Sequence, residues 1–234
     1  MKMRKKTPPW QWNEFQQIGT DYASEAEVAI YDRRMRKMRD IDMENAGILE
    51  LLRLPSRGAV LEIGTGTGAF IRTAAKRCAR AVGIDISEVM LRYVRTRADE
   101  ENLQNLELCR AGFLTHTFEP GTFDGVVSGL AFHHLPDVWK AVALERIRRI
   151  LKPGGRLVLL DVVFDWKSEA PEAYFERIVS AAGENRKNFI RHISQEYSTL
   201  AWIMEGLLAR AGFRIEFQRA SGDFLMLFCA GKDL

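Results

Sequence analysis

Between residues 59 and 163 short apolar runs alternate with amphipathic stretches, and this regularity constrains the fold more than any other feature. Residues 59–63, 80–84, 106–109, 123–128 and 156–163 read as strands. The last of them, running LVLLDVV, has the unbroken apolar character of a strand covered on both faces. Between them, 69–78, 87–100 and 136–151 read as helices. Ser87 caps one, Pro136 opens another, and Lys152-Pro153-Gly154-Gly155 ends it. Such alternation predicts a parallel sheet with helices on both faces. Further on, a helix over 194–210 is closed by Gly212. Residues 213–219 and 224–230 then read as strands joined only by Ala220-Ser221-Gly222-Asp223. So short a link joins antiparallel neighbours. Ahead of the alternating region, residues 24–53 predict a helix opened by Ser24 with Glu27 and interrupted near 40–42.

Composition removes several classes. A chain of 234 residues, 47% apolar with both charge signs mixed, can bury one sizeable core. Cys78, Cys109 and Cys229 have no C-x-x-C spacing, which argues against a disulfide framework, a zinc ribbon or an iron–sulfur site. A reducing cytoplasm is the expected setting, and no metal is expected. No apolar run reaches the roughly 18 residues of a membrane span. The basic start MKMRKKTPPW has no apolar stretch behind it and does not read as a signal peptide. Of the net charge of +3, Lys2, Arg4, Lys5 and Lys6 supply four positive charges, leaving 30 basic against 31 acidic groups. A tail of this kind is ordinarily solvated, so nucleic acid is not the expected partner.

The strongest local signal is VLEIGTGTGA at 60–69, three glycines that follow a strand directly and open a helix. Without Cβ atoms the chain turns sharply, and a ligand can approach the backbone at the carboxyl edge of the sheet. Asp85, at the end of the second strand, can accept hydrogen bonds from two ribose hydroxyls of an adenosine-containing ligand. Gly64, Gly66 and Ala69 also fit the dinucleotide variant G-x-G-x-x-A. Glu62, just before the loop, opposes a pyrophosphate and suits a cationic ligand.

With these features in place, residues 59–230 resemble the class I S-adenosylmethionine-dependent methyltransferases. VLEIGTGTG matches the family's glycine-rich motif and GIDIS its acidic second-strand motif. FDGVVSGLAFHHLPD matches its fourth-strand motif, and LKPGGRLVL its turn into the fifth strand. The resemblance implies an α/β, Rossmann-like, seven-stranded, mostly parallel sheet with an antiparallel last strand. It implies S-adenosyl-L-methionine as cofactor and S-adenosyl-L-homocysteine as product. Gly64, Thr65, Gly66 and Gly68 would line the methionine and ribose part, supported by Glu62. Asp85 would take the ribose, Ile86 and Met90 would pack near the adenine, and Ser128 and Gly129 would lie beneath the methionine portion. Many family members place an acid after the third strand to bind the adenine amino group. Here Gly112 and Phe113 stand in that place, which leaves the adenine to backbone groups and apolar packing.

One domain is expected over 1–234. Residues 1–54 form a helical extension or lid, 55–163 the cofactor-binding core, 164–193 an insertion serving as acceptor cap, and 194–234 the last helix and closing hairpin. His133 and His134 are the candidate bases, although adjacent histidines cannot both face the cleft. Tyr22, ahead of the first helix, is the candidate for orienting the acceptor, whereas Tyr31 falls on an apolar stripe with Val28 and Met35. Trp10, Trp12 and Phe15, with Phe164, Trp166, Tyr174, Phe175 and Phe189, are candidates for an apolar acceptor cleft. The chain has no N/D-P-P-Y/F tetrapeptide, no Pro-Cys nucleophile and no C-x-x-x-C-x-x-C. A small-molecule acceptor is the expected partner, with RNA- or protein-directed transfer, or cofactor binding without catalysis, as alternatives. Monomer and homodimer are both compatible with the sequence.

Overall fold

The computed structural model describes residues 8–16, 24–37, 39–167 and 169–233. Tyr22, the side chain of Glu27 and the basic tail lie outside them. The N-terminal helical stretch divides at Asp40 into α1 (Glu25–Arg36) and α2 (Ile41–Leu52). The Asp40 carboxylate accepts the Met43 N–H at 3.0 Å and so starts a new helix there.

The alternating region follows as β1 (Ala59–Ile63), α3 (Ala69–Ala75), β2 (Arg80–Asp85), α4 (Glu88–Glu100) and β3 (Leu106–Arg110). It continues with β4 (Phe123–Gly129), a 3₁₀ turn (Phe132–His134), α5 (Asp137–Ile150) and β5 (Leu151–Phe164). Helix α3 ends before the expected residue 78, because the Asn105 side chain takes up the carbonyls of Ala75 and Cys78 at 2.8 and 2.9 Å. Pro136 is the cap of α5 rather than its first residue. The Lys152–Gly155 turn lies within β5 as a bulge: Phe123 of β4 faces Leu151, but Gly125 faces Arg156.

The expected helix over 194–210 is not one helix. The chain forms α6 (Pro171–Ala181), a 3₁₀ turn, α7 (Arg186–Gln195), the two-residue β6 (Thr199–Leu200) and α8 (Ala201–Arg210). Residues 196–200 cannot wind because they are tied elsewhere. The Tyr197 N–H donates to the His133 carbonyl at 2.8 Å, Lys140 Nζ donates to the Tyr197 carbonyl, and Thr199 Oγ1 donates to Asp137 at 3.1 Å. Strands β7 (Phe213–Ser221) and β8 (Leu225–Lys232) complete the chain's sheet.

The sheet follows the path β3-β2-β1-β4-β5-β8-β7, the seven strands expected, and among the described residues the two-residue β6 is added beside β5. Strands β3, β2, β1, β4 and β5 run parallel, and β8 is antiparallel to both its neighbours. Alternate strand residues feed two cores. Leu61, Ile63 and Val82 pack with α5 and α8, while Val60, Ala81 and Val127 pack with α2, α3 and α4. That is why both faces read as apolar in the sequence. Gly68 caps α3 with φ +75°, and a Cβ there would stand 2.6 Å from Val94 Cγ1. It packs α3 on α4 and lines neither of the clefts at the sheet edge. Among the described residues, no helix is long and apolar enough to cross a membrane.

Candidate active site

The carboxyl ends of β1, β2, β3 and β4 lie along one edge of the sheet, where open parallel sheets bind ligands. Three local breaks shape this edge: the glycine loop after β1, Asp85 ending β2, and the turn at Gly129-Leu130 ending β4. Leu130 has φ +53°, a left-handed conformation held by donation of its N–H to Leu160 at 2.8 Å. Gly64, with φ +75°, passes so close beneath the 3₁₀ turn that a Cβ would lie 2.4 Å from Ala131 Cβ.

Two buried acids brace the loop. Asp85 Oδ2 accepts the Gly66 N–H at 2.8 Å, and Oδ1 accepts the Ser87 N–H at 2.8 Å. Burial holds its carboxyl above the usual range against those hydrogen bonds. Glu62 Oε2 accepts from Thr65 Oγ1 at 2.6 Å and from the Ile71 N–H at 3.2 Å. Burial pushes its pKa up to about 8. The folded protein therefore binds the Glu62 proton more tightly than the unfolded chain does. Its contribution favours folding at low pH and declines as pH rises from the ordinary 4.5 through about 8. The Glu62→Gln variant is expected to lack this decline, by on the order of 3 kcal/mol between pH 5 and 8. Urea midpoints of both proteins at the two pH values check it; parallel pH slopes would contradict the assignment.

Two clefts of about 770 and 630 Å³ open at this edge and share Tyr31, Gly64, Gly66, Gly129 and Leu130. The larger also takes in Glu14, Asp85, Ile86, Met90, Gly112, Phe113, Ala131, His134 and Leu135, and among the described residues no Lys or Arg lines it. Glu62 and Thr65 line the smaller, with Arg39 and Glu44. Ser128 lines neither: β4 runs one residue further than expected, so Ser128 is enclosed in the sheet opposite Leu159 and Gly129 takes the edge. Tyr31, read from sequence as core stripe, faces both clefts. The expected aromatic acceptor walls are elsewhere. Phe164 and Tyr174 are buried in a separate cluster with Trp166, Phe175 and Phe189, and the Tyr174 hydroxyl donates to the Asp223 carbonyl. Trp10 stacks on Trp139, and Trp12 meets Tyr197 edge-on. None of these rings lines either cleft.

The two histidines separate as adjacency demands. His134 lines the larger cleft, where burial and the neighbouring His133 charge push its pKa down to about 3. His133 turns inward: Nδ1 is 2.5 Å from Asp161 Oδ1, and Nε2 is 3.2 Å from Glu196 Oε2. Burial alone would discharge it, but the two carboxylates override burial and hold its pKa near 9. Glu196 also pairs with His192 Nδ1 at 2.5 Å and is held below the usual carboxylate range despite its burial. His133, His134 and Glu196 bring possible metal-ligand atoms within 4.8 Å of one another. Both ring nitrogens of His133 are already engaged by carboxylates, as in a charged imidazolium held between two anions. Asp161 carried a signal in the sequence, since a lone acid inside LVLLDVV must find a partner when buried. Glu196 and Glu14 carried none.

Known proteins match this geometry. A family model described as a methyltransferase domain matches residues 60–155. An uncharacterized methyltransferase from Bacillus mycoides is 32% identical over 173 residues, which cover 74% of this chain and 77% of that protein. The chain belongs to the class I S-adenosylmethionine-dependent methyltransferases. A demethylmenaquinone methyltransferase from Lactococcus lactis is 29% identical over 190 residues, covering 74% of this chain and 73% of its own. A S-adenosylmethionine-dependent methyltransferase structure from Aquifex aeolicus shares the fold, with a TM-score of 0.62 at 19% identity. It covers 89% of this chain and 98% of that one. The cofactor of this methyltransferase is S-adenosylmethionine, which supplies a methyl group on a cationic sulfur. The larger cleft suits it: the Asp85 carboxylate can accept hydrogen bonds from hydroxyls, and Ile86 and Met90 offer apolar surface to a base.

Proposed function

We propose that this methyltransferase transfers the methyl group to a small-molecule acceptor by in-line displacement. The observation that carries the reading is the lining of the larger cleft, which among the described residues contains Glu14 and Asp85 but no Lys or Arg. A nucleic-acid acceptor is drawn in by basic groups that neutralise phosphates, and a dinucleotide's pyrophosphate is repelled by acids. Beyond the glycine loop the wall is Leu130, Ala131 and Leu135 with His134, an apolar surface with one polar group. The demethylmenaquinone enzyme among the relatives fits an acceptor of that character. In-line transfer chiefly requires alignment. His134, held neutral with a pKa of about 3, is too weak a base to carry a proton away and instead offers the acceptor a polar contact in the cleft wall. Asp85 would hold the ribose, Gly64 and Gly66 the ligand's approach to the backbone, and Glu62 the loop beneath its cationic end.

The test incubates the protein with methyl-labelled S-adenosylmethionine and separate small-molecule, RNA and protein fractions of a cell extract. Label is expected in the small-molecule fraction alone; label in RNA or protein would overturn the reading. Calorimetry on the same sample is expected to detect S-adenosylhomocysteine and no NAD.

A further inference from the structure

The strand end next to Asp85 poses a recognition problem. A ribose held on Asp85 at the end of β2 would leave its adenine to extend along the cleft toward the end of β3, where Ala111, Gly112 and Phe113 line the same cleft. An adenine edge presents an exocyclic amino donor, and only an acceptor oxygen can read it. Gly112 has no side chain to offer one.

A carboxylate nevertheless occupies that place, carried there by the chain ahead of α1. Glu14 is 8% exposed and lines the same cleft. A Cβ built on Gly112 would lie 2.4 Å from Glu14 Oε2 and 2.6 Å from its Cδ. The Glu14 carboxylate thus fills the volume that a side chain at 112 would take. The Leu114 N–H donates to both its oxygens, at 3.1 and 3.0 Å, and Thr115 Oγ1 donates to Oε1 at 2.6 Å. The Thr115 hydroxyl goes to Oε1 while Oε2 shares the Leu114 N–H, with the Thr115 backbone and the charge of Arg146 also acting on the carboxylate. A carboxylate has about four acceptor sites, so Oε2 keeps capacity for one more N–H from the cleft.

We propose that Glu14 recognises the exocyclic amino group of the cofactor's adenine, so that the segment ahead of α1 is part of the cofactor site. This deepens the cofactor assignment and rests on it. Glu14 and Gly112 form a reciprocal pair: the acid is supplied from one chain segment because the other leaves it room.

The experiment measures dissociation constants by calorimetry for S-adenosylhomocysteine and for its inosyl analogue, which carries a carbonyl oxygen in place of the amino group. The proteins are wild type, Glu14→Ala, Gly112→Asp and the double variant. Wild type is expected to prefer the adenosyl ligand by about tenfold or more. Glu14→Ala is expected to weaken it by a similar factor and to reduce the preference below about threefold. Gly112→Asp alone forces two carboxylates into one volume and is expected to weaken binding. Combined with Glu14→Ala, it restores the preference. The ratio between two ligands that differ at one group is insensitive to a merely loosened segment. A Glu14→Ala protein that keeps the wild-type ratio overturns the proposal, as does a wild type that binds both ligands equally. A wild type that binds neither overturns the cofactor assignment itself.

Discussion

Asp85→Ala is expected to lower the affinity for S-adenosylhomocysteine by about tenfold or more, with the fold retained. Its carboxylate ends β2 at the ligand edge of the sheet and is 8% exposed within the larger cleft. A charge-assisted hydrogen bond to a ribose hydroxyl is worth roughly 1.5–3 kcal/mol. The structure adds a second reason for a large effect. Asp85 Oδ2 holds the Gly66 N–H at 2.8 Å, so removing the carboxylate also releases the loop that lines the cleft. Capping of α4 is a lesser loss, because Ser87 Oγ accepts the Met90 N–H at 3.2 Å by itself. Melting temperature and affinity measured on one sample separate the roles. Reduced stability with unchanged affinity would leave Asp85 only a turn-forming residue.

The largest loss of stability is expected from Asp161→Ala. Asp161 is 1% exposed and accepts the N–H groups of Phe132, His133 and Val162 at 2.6, 3.2 and 2.6 Å, besides the His133 ring. Removing one partner of a buried ion pair costs about 3–5 kcal/mol, which lowers the melting temperature of a chain this size by roughly 6–20 °C. The sign of the pH dependence follows from His133, whose pKa rises from 6.5 to about 9 on folding. The pair's contribution is complete below pH 6.5 and is lost as pH rises through 9, so the gap between wild type and variant narrows in alkali. Thermal melts at pH 6, 8 and 10 check this. A melting temperature within two or three degrees of wild type at pH 6, well short of the loss expected, would show that the pair is not held as the geometry implies.

The strands were legible because five of them are buried on both faces, which leaves apolar runs that nothing else in the chain imitates. The cleft at the sheet edge was legible because much of its lining sits in contiguous motifs: Gly64 and Gly66 in the loop, Asp85, and the residues from Gly129 onward. What escaped is non-local. Glu14 meets Leu114 across a hundred residues of chain, and no local pattern encodes that contact. Tyr31 was hidden because an apolar stripe looks the same whether it covers a core or roofs a cleft. The single helix drawn over 194–210 failed because residues 196–200 are held by His133, Lys140 and Asp137, and those tethers overrule local helical preference.

The position of β8 sets an order of events during synthesis. It follows every other strand in the chain, yet it lies inside the sheet between β5 and β7, with all but its final residue buried. Until it emerges, β5 is an unsatisfied edge whose LVLLDVV segment has the composition that pairs readily with foreign strands. The parallel half can assemble early, but only the arrival of residues 225–232 closes it. A ribosome stalled or a chain clipped before that point releases a parallel half-sheet with an adhesive flank, and aggregation rather than simple inactivity is its natural fate.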